Sequence, residues 1–314
     1  MTVYITDYII DADIEREILG SDLSDVKEKT EVLLVWHQLI DRKYLSEFPN
    51  LKGLVRYGVG FDNVVLEDVK ERNLIFCNTP DYGTNEVSDT AIAMILNLTR
   101  GVSRYDFLCR EYADGMWQEN TLTHLRRSNK QLLGVIGAGR IGSSVLKKAK
   151  AIGFNCSFYD PLLPLGYENR LGVDRFLDLE TLCKKSDIIS IHAPLNEETR
   201  GMINKKFISN MKSGSYLVNT ARGEIIEDID DFIPYLKNNN LRGLAFDVLK
   251  KEPPKVKGLI KMWKDRESWL TGRLIINPHT SYYTHDSYKE MRVKASKNAK
   301  KILRDETPKY IISQ

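Results

Sequence analysis

Cysteine is scarce in this chain. Its 314 residues hold four, Cys77, Cys109, Cys156 and Cys183, scattered and without a C-x-x-C pair. That spacing argues against a disulfide framework or a cysteine-ligated zinc site, and for reduced thiols in a cytoplasmic protein. Net charge is small as well, +3 at pH 7, and no Lys/Arg cluster is interleaved with aromatic residues, so no nucleic-acid partner is expected. The lysines at Lys147, Lys148 and Lys150, and at Lys297, Lys300 and Lys301, recur at the spacing of solvated helix faces. No apolar run approaches the roughly 20 residues of a membrane span. The N-terminus turns polar at Asp11 and Asp13 without a basic segment or a long apolar one, and predicts a first strand, not a signal peptide. Repeats and low-complexity tracts are missing too. What remains is an ordinary globular chain whose length suits two domains.

The most informative stretch runs from Leu132 to Asp160. A short apolar run, Leu132 to Ile136, meets Gly137-Ala138-Gly139-Arg140-Ile141-Gly142; a helical segment to Ala151 follows, then a second apolar run, Phe154 to Tyr159, and an acid, Asp160. Strand, glycine turn, helix, strand and acid are the parts of a dinucleotide site. Gly137 permits the tight turn, Gly139 lets backbone approach a pyrophosphate, and Gly142 lets the helix pack on its strand. The helix N-terminus offers N–H groups and a partial positive charge. Asp160 suits the ribose hydroxyls and would repel a 2′-phosphate, which favours NAD over NADP.

Before this stretch, strands are expected at Val3 to Thr6, Glu31 to Val35, Leu51 to Tyr57 and Leu74 to Cys77, with a helical stretch around Ile14 to Leu23. Strands alternating with short helices predict a parallel α/β unit. The Gly58-Val59-Gly60 loop ends one strand and is a candidate wall of an active site. Asn85 to Leu98 carries a buried-helix stripe, and a second helix is expected from Val102 to Ala113. The domain boundary is placed near Arg100. Beyond Asp160, strands are expected at Asp187 to Ala193, Tyr216 to Ala221, Leu241 to Val248 and Leu274 to Asn277, and helices at Lys205 to Met211, Asp228 to Lys237 and Thr284 to Ile302. Pro234 should end or kink its helix. The highly charged segment Lys255 to Arg273 reads as a surface loop or a lid.

Arg222, Asp247 and His279 fall at carboxyl ends of successive strands, with Glu252 shortly beyond Asp247. Hydride transfer to a 2-oxo acid needs a cation for the carboxylate and carbonyl, a proton donor, and a group that tunes the donor. Arg222, a histidine and a carboxylate fill those roles. His37, His124 and His285 are expected on surfaces, and His192, which also ends a strand, lacks an accompanying Glu or Arg.

Gly134-Val-Ile-Gly-Ala-Gly-Arg-Ile-Gly142, Val218-Asn-Thr-Ala-Arg-Gly223, Ala245-Phe-Asp-Val248 with Glu252-Pro253, and Asn277-Pro-His-Thr280 resemble the signatures of the D-isomer-specific 2-hydroxyacid dehydrogenases. Val55 to Asn63 and Cys77-Asn-Thr-Pro80 fit the same family, so the resemblance spans nearly the whole chain. Val55 to Asn63 and Phe154 to Pro161 are most similar to the branch that includes the C-terminal binding protein corepressors.

The resemblance implies an α/β fold of two Rossmann/flavodoxin-like parallel-sheet domains. An NAD domain, residues 100–280, would be inserted into a discontinuous substrate domain, residues 1–99 and 281–314. It implies Arg222 as substrate orienter, Glu252 as partner of the histidine, and His279 as proton donor in reduction. Arg140 and Ile141 would lie along the pyrophosphate and Asp160 on the ribose. Ala193, Pro194, Thr199, Thr220, Ala221 and Asp247 would line the adenine and nicotinamide sides. The N–H groups of Val59 and Gly60 would hold the substrate carboxylate, with Arg56 nearby and Tyr282 closing the pocket. A homodimer through the helices between Asn85 and Ala113 is a further family expectation. The chain departs from the family pattern at Lys250 and Lys251, before Glu252. The rival implied by the branch resemblance is an NAD(H)-sensing corepressor or scaffold with little turnover. Formate and phosphite oxidation are other outcomes within the superfamily, and Glu252 argues against the first.

Overall fold

The computed structural model describes residues 2–7, 9–110, 117 and 121–313. In chain order its first elements are β1 (Thr2–Ile5), α1 (Asp13–Leu19), β2 (Thr30–Val35), α2 (Arg42–Leu45), β3 (Gly53–Arg56), α3 (Leu66–Glu71), β4 (Ile75–Cys77), α4 (Thr84–Arg100) and α5 (Val102–Arg110). There follow β5 (Leu132–Ile136), α6 (Arg140–Ile152), β6 (Asn155–Tyr159), α7 (Tyr167–Leu171), β7 (Asp174–Arg175), α8 (Leu179–Lys185), β8 (Ile188–Ile191), α9 (Lys205–Asn210) and β9 (Ser215–Asn219). The chain ends with α10 (Ile233–Lys237), β10 (Leu241–Phe246), α11 (Gly258–Lys264), β11 (Leu274–Ile276), α12 (His285–Leu303) and β12 (Ile311–Ser313).

Two compact units result: Met1–Gly83 with Tyr282–Gln314, and Thr84–Ser281. The first contains a five-stranded sheet in the order β1-β2-β3-β4-β12, parallel except for the last pair. The second contains a parallel seven-stranded sheet in the order β11-β10-β9-β8-β5-β6-β7. Strand residues alternate between two apolar layers because successive side chains point to opposite faces. In β2, Val32 and Leu34 enter one cluster and Leu33 and Val35 the other. In β9, Tyr216 and Val218 join one layer and Leu217 the opposite one. Burial on both faces explains why these strands read as continuous apolar runs. The order of the second sheet reverses between β5 and β8, and at such a switch point an α/β sheet opens a ligand crevice.

Four expectations change. The boundary lies at Gly83, not near Arg100, because Ala91, Ile92, Met94, Ile95 and Leu98 of α4 pack on Val145, Leu146 and Ala149 of α6. Its partner boundary follows Ser281. Pro234 opens α10 in its first turn, where a missing N–H costs nothing, and a 3-10 turn precedes it. The segment from Lys255 to Arg273 is neither loop nor lid. It holds α11, whose Leu259 and Ile260 are buried in the core with Leu270. The antiparallel β12 was not expected; its few residues carry too little pattern to read. Of the helix expected from Val102 to Ala113, the part after Arg110 lies outside the described residues.

The first unit is braced by a buried ion pair. Arg292 of α12 donates to Glu15 of α1 through Nε (3.0 and 3.2 Å) and Nη2 (2.5 Å), and the Tyr57 hydroxyl donates to the same carboxylate at 2.9 Å. Glu15 is fully buried and Arg292 nearly so. Removing one partner of such a pair strands the other charge. Arg292→Met should therefore lower unfolding free energy by about 3–5 kcal/mol, read from a denaturant titration. A loss below about 1 kcal/mol would show that Glu15 does not depend on its partner.

Candidate active site

Gly137 follows β5 directly and adopts φ +86°, the left-handed region that glycine enters without cost. A side chain there would strike Ala193 N at 2.6 Å, so the turn lies against the residue that follows β8 across the switch point. At Gly142 a Cβ would meet Gly137 O at 1.9 Å, which explains the close helix-to-strand packing. Gly139 differs: an added Cβ meets no atom within 4 Å, and α6, which it caps, has no side-chain cap. An open glycine at an uncapped helix start is a seat for a pyrophosphate. Asp160, after β6, accepts Ala138 N–H on Oδ2 (2.9 Å) and Leu162 N–H on Oδ1 (3.0 Å). Each oxygen keeps a lone pair for a ribose hydroxyl. Nearby Arg175 spends its guanidinium on the carbonyls of Asp160 (2.6 Å), Leu163 (2.9 Å) and Pro164 (2.9 Å). Arg140 and Ile141 open α6.

The switch point's other wall is His192-Ala193-Pro194. Thr199 closes the next turn by donating to Pro194 O at 2.7 Å. Thr220 is buried, its hydroxyl 3.5 Å from His192 Nδ1, and Ser190 Oγ lies 2.8 Å from Nε2. Burial pushes the His192 imidazole down to about 3. It stays neutral near pH 7 and is no proton donor there.

At the carboxyl ends of β9, β10 and β11 the expected constellation assembles. His279 Nδ1 lies 2.8 Å from Glu252 Oε2, and Glu252 Oε1 accepts the Leu249 N–H at 2.8 Å. Burial alone raises the Glu252 carboxyl. The bonds from His279 and Leu249, with the positive charges of His279 and Arg222, outweigh it and hold the group below the usual 4.5. Each side chain of the pair is 37% exposed, so the imidazole is reachable by a small molecule. Lys250 and Lys251 do not displace Glu252 from its partner.

Two residues hold this arrangement, and sequence reasoning assigned neither that task. Asn219, fully buried, accepts the Ala221 N–H (3.0 Å) and donates to Arg222 O (2.8 Å), which sets the backbone carrying Arg222. Its signal was its place inside the Val218 to Gly223 motif. Asp247, which the resemblance places on the cofactor, directs its carboxylate to the N–H groups of Thr280 (3.0 Å) and Ser281 (3.2 and 3.1 Å). Its carbonyl accepts the His279 N–H at 2.7 Å. Gly223 presses on the next loop: a Cβ would meet Leu249 C at 2.0 Å.

In the first unit, the Gly58 to Gly60 loop is tied to the Cys77 to Pro80 motif. Thr79 Oγ1 accepts Gly58 N–H at 2.5 Å and Asn78 Nδ2 donates to Val59 O at 2.8 Å. Arg56 donates to Tyr57 O, and its guanidinium lies where a Gly58 side chain would stand. Val59 is exposed and Gly60 half-buried. Tyr282 stacks edge-on against Trp36 (6.1 Å) and Tyr82 (6.2 Å).

A doubly wound sheet with this turn, beside an acid-paired imidazole, defines a dinucleotide-dependent oxidoreductase class. The model of the D-isomer specific 2-hydroxyacid dehydrogenase NAD binding domain matches residues 92–281. The chain belongs to that family, and NAD is its cofactor. It is 30% identical over 301 residues to a glyoxylate reductase of Thermococcus litoralis, covering 94% of this chain and 87% of the relative. It is also 30% identical to a D-3-phosphoglycerate dehydrogenase of Methanocaldococcus jannaschii, over 93% of this chain but only 53% of that longer protein. The solved D-lactate dehydrogenase of Aquifex aeolicus, complexed with NAD and lactic acid, superposes with a TM-score of 0.83 at 29% identity, over 98% of this chain and 96% of that one.

The three glycines should separate experimentally. Gly139→Val fills only open space, so it should keep the wild-type melting temperature while weakening NADH at least about tenfold by fluorescence titration. Gly142→Ala should instead lower the melting temperature, because its methyl collides with Gly137 O. Equal NADH affinity in Gly139→Val and wild type would move the pyrophosphate elsewhere.

Proposed function

We propose that the protein reduces a 2-oxo acid to the D-2-hydroxy acid, and runs the reverse oxidation, with His279 as the proton donor and acceptor. The observation that carries this reading is the 2.8 Å contact of Glu252 with His279 Nδ1, which turns Nε2 outward from the carboxylate. NADH, when bound, supplies the hydride to the carbonyl carbon. His279 Nε2 delivers the proton to the carbonyl oxygen, so the 2-oxo acid gains one hydride and one proton. Glu252 orients the ring and stabilises the protonated imidazole before delivery. Arg222 holds the carboxylate and polarises the carbonyl, and a guanidinium does both with one planar set of donors. In the first unit, Arg56 and the N–H groups of Val59 and Gly60 supply an anion cradle of their own, and Tyr282 an aromatic wall.

The enzymatic relatives named above support catalysis over a corepressor role. The substrate class is a small 2-oxo acid of the glyoxylate or pyruvate kind.

Mixing the protein with NADH and a panel of 2-oxo acids, and following loss of reduced-cofactor absorbance, tests the reading. His279→Ala should lose roughly 100- to 10,000-fold in rate with NADH affinity unchanged. A rate within about twofold of wild type would remove His279 from the chemistry. Because the Glu252 carboxyl sits below 4.5, the stability it contributes is complete above that pH and is lost as pH falls through the lowered value. Melting temperatures of wild type and Glu252→Gln should thus differ near neutrality and converge in acid. A gap that stayed constant down to about pH 3 would contradict the pairing.

A further inference from the structure

The second unit carries a partly open cavity of about 230 Å³ lined by Arg104, Arg242, Arg273, His124, Tyr216 and Trp269, among others. Tyr216 is the second residue of β9, Arg242 the second of β10, and Arg273 immediately precedes β11. These three strands run on to Arg222, Asp247 and His279. The cavity therefore sits at their amino ends, a strand length of roughly 15–20 Å from the constellation described above. His124, expected on an open surface, is half-buried here.

The charge of this cavity is one-sided. Three guanidiniums and an imidazole face it, and no carboxylate lines it among the described residues. Arg273 is held by the carbonyls of Leu236 (2.7 Å), Leu241 (2.8 Å) and Arg242 (2.9 Å), and Arg104 by that of Ser268 (2.6 Å). Carbonyls fix a guanidinium but leave its charge in place. Arg242 makes no side-chain hydrogen bond or ion pair among the described residues, so its donors remain available. Burial, then Arg242 and Arg273, hold the His124 imidazole below 6.5, as a field that repels cations would. Leu98, Leu122 and Trp269 add apolar wall. The volume exceeds what one water, with its share of about 30 Å³, would fill.

We propose that this cavity is a binding site for a small organic oxyanion carrying two or more negative charges, held by Arg242 and Tyr216 in the field of Arg104 and Arg273. The apolar wall takes the carbon body and the guanidinium fork takes paired oxygens.

Calorimetric titration of the NADH-saturated protein at constant ionic strength tests it, with citrate and glycerol 2-phosphate as probes. One saturable site per chain is expected, with the tighter probe revealing whether carboxylate or phosphate is preferred. Arg242→Gln should weaken binding at least tenfold and leave NADH affinity unchanged. Tyr216→Phe, which removes only a hydroxyl, should weaken it less and serves if Arg242→Gln does not fold. Failure of both probes to saturate, or binding within twofold of wild type in the two variants, overturns the proposal. So does binding that Arg222→Gln abolishes and Arg242→Gln spares, which would put the anion at the opposite strand ends.

Discussion

The buried carboxylate of Asp247 is the constraint on which the loops at the carboxyl ends of the second unit's strands depend. At 2% exposure it would be costly as a bare charge. It is instead compensated by the N–H groups of Thr280 and Ser281, while its own carbonyl takes that of His279. This grip holds His279 at φ +58°, a conformation that non-glycine residues seldom adopt and that costs about 1–3 kcal/mol. Hydrogen bonds to a charged group are worth about 1.5–3 kcal/mol each, so two of them outweigh the strain. The backbone is bent by the carboxylate, and the bend turns the imidazole toward Glu252.

Arg222 is held by the same logic with a neutral group. Asn219 closes the loop after β9 by using its amide at both ends, as acceptor and donor. Gly223 then lets that loop lie against Leu249 and Lys250, the residues that lead into Glu252. Arginine, glutamate and histidine therefore rest on three successive strand ends locked to one another by backbone contacts. At those ends the His279 imidazole pairs with Glu252, and Arg222 donates to the Ala221 carbonyl.

Much of this was legible in the chain because the dinucleotide turn is local. Gly137, Gly139, Gly142 and Asp160 lie within one strand-helix-strand passage, and each glycine answers a separate steric demand that can be named before any coordinates are seen. The two layers of each sheet were legible for a similar reason, since alternation follows from strand geometry. What was not legible depends on partners far away in sequence. The allegiance of α4 is decided by α6, some 50 residues on, not by its own stripe. The segment around α11 looks like a polar loop, and only Leu259, Ile260 and Leu270 reveal that it is docked. Asp247 carried a family role on the cofactor, while its hydrogen bonds go to a turn more than 30 residues later.

The first unit shows why the carboxylate of a substrate is easier to infer than its side chain. The proposed cradle near Arg56 uses groups whose chemistry is fixed: a guanidinium, and the N–H groups of Val59 and Gly60, in a loop that Asn78 ties down at the Val59 carbonyl and Thr79 at the Gly58 N–H. Such donors recognise one anion geometry, and a substrate lacking it leaves them unpaired. The aromatic wall is different. Trp36, Tyr57, Tyr82, Tyr282 and Tyr288 meet with ring centroids 5.7–6.2 Å apart, edge to face except for the tilted pair of Trp36 and Tyr57. Beneath them, Arg292 and Glu15 set where Tyr57 and Tyr288 stand. A wall of this kind discriminates by shape, and one methylene there changes selectivity by only about 1–3 kcal/mol. Under the proposed function, small shifts in the packing under this wall would retune the side chain accepted without touching the proposed anion cradle.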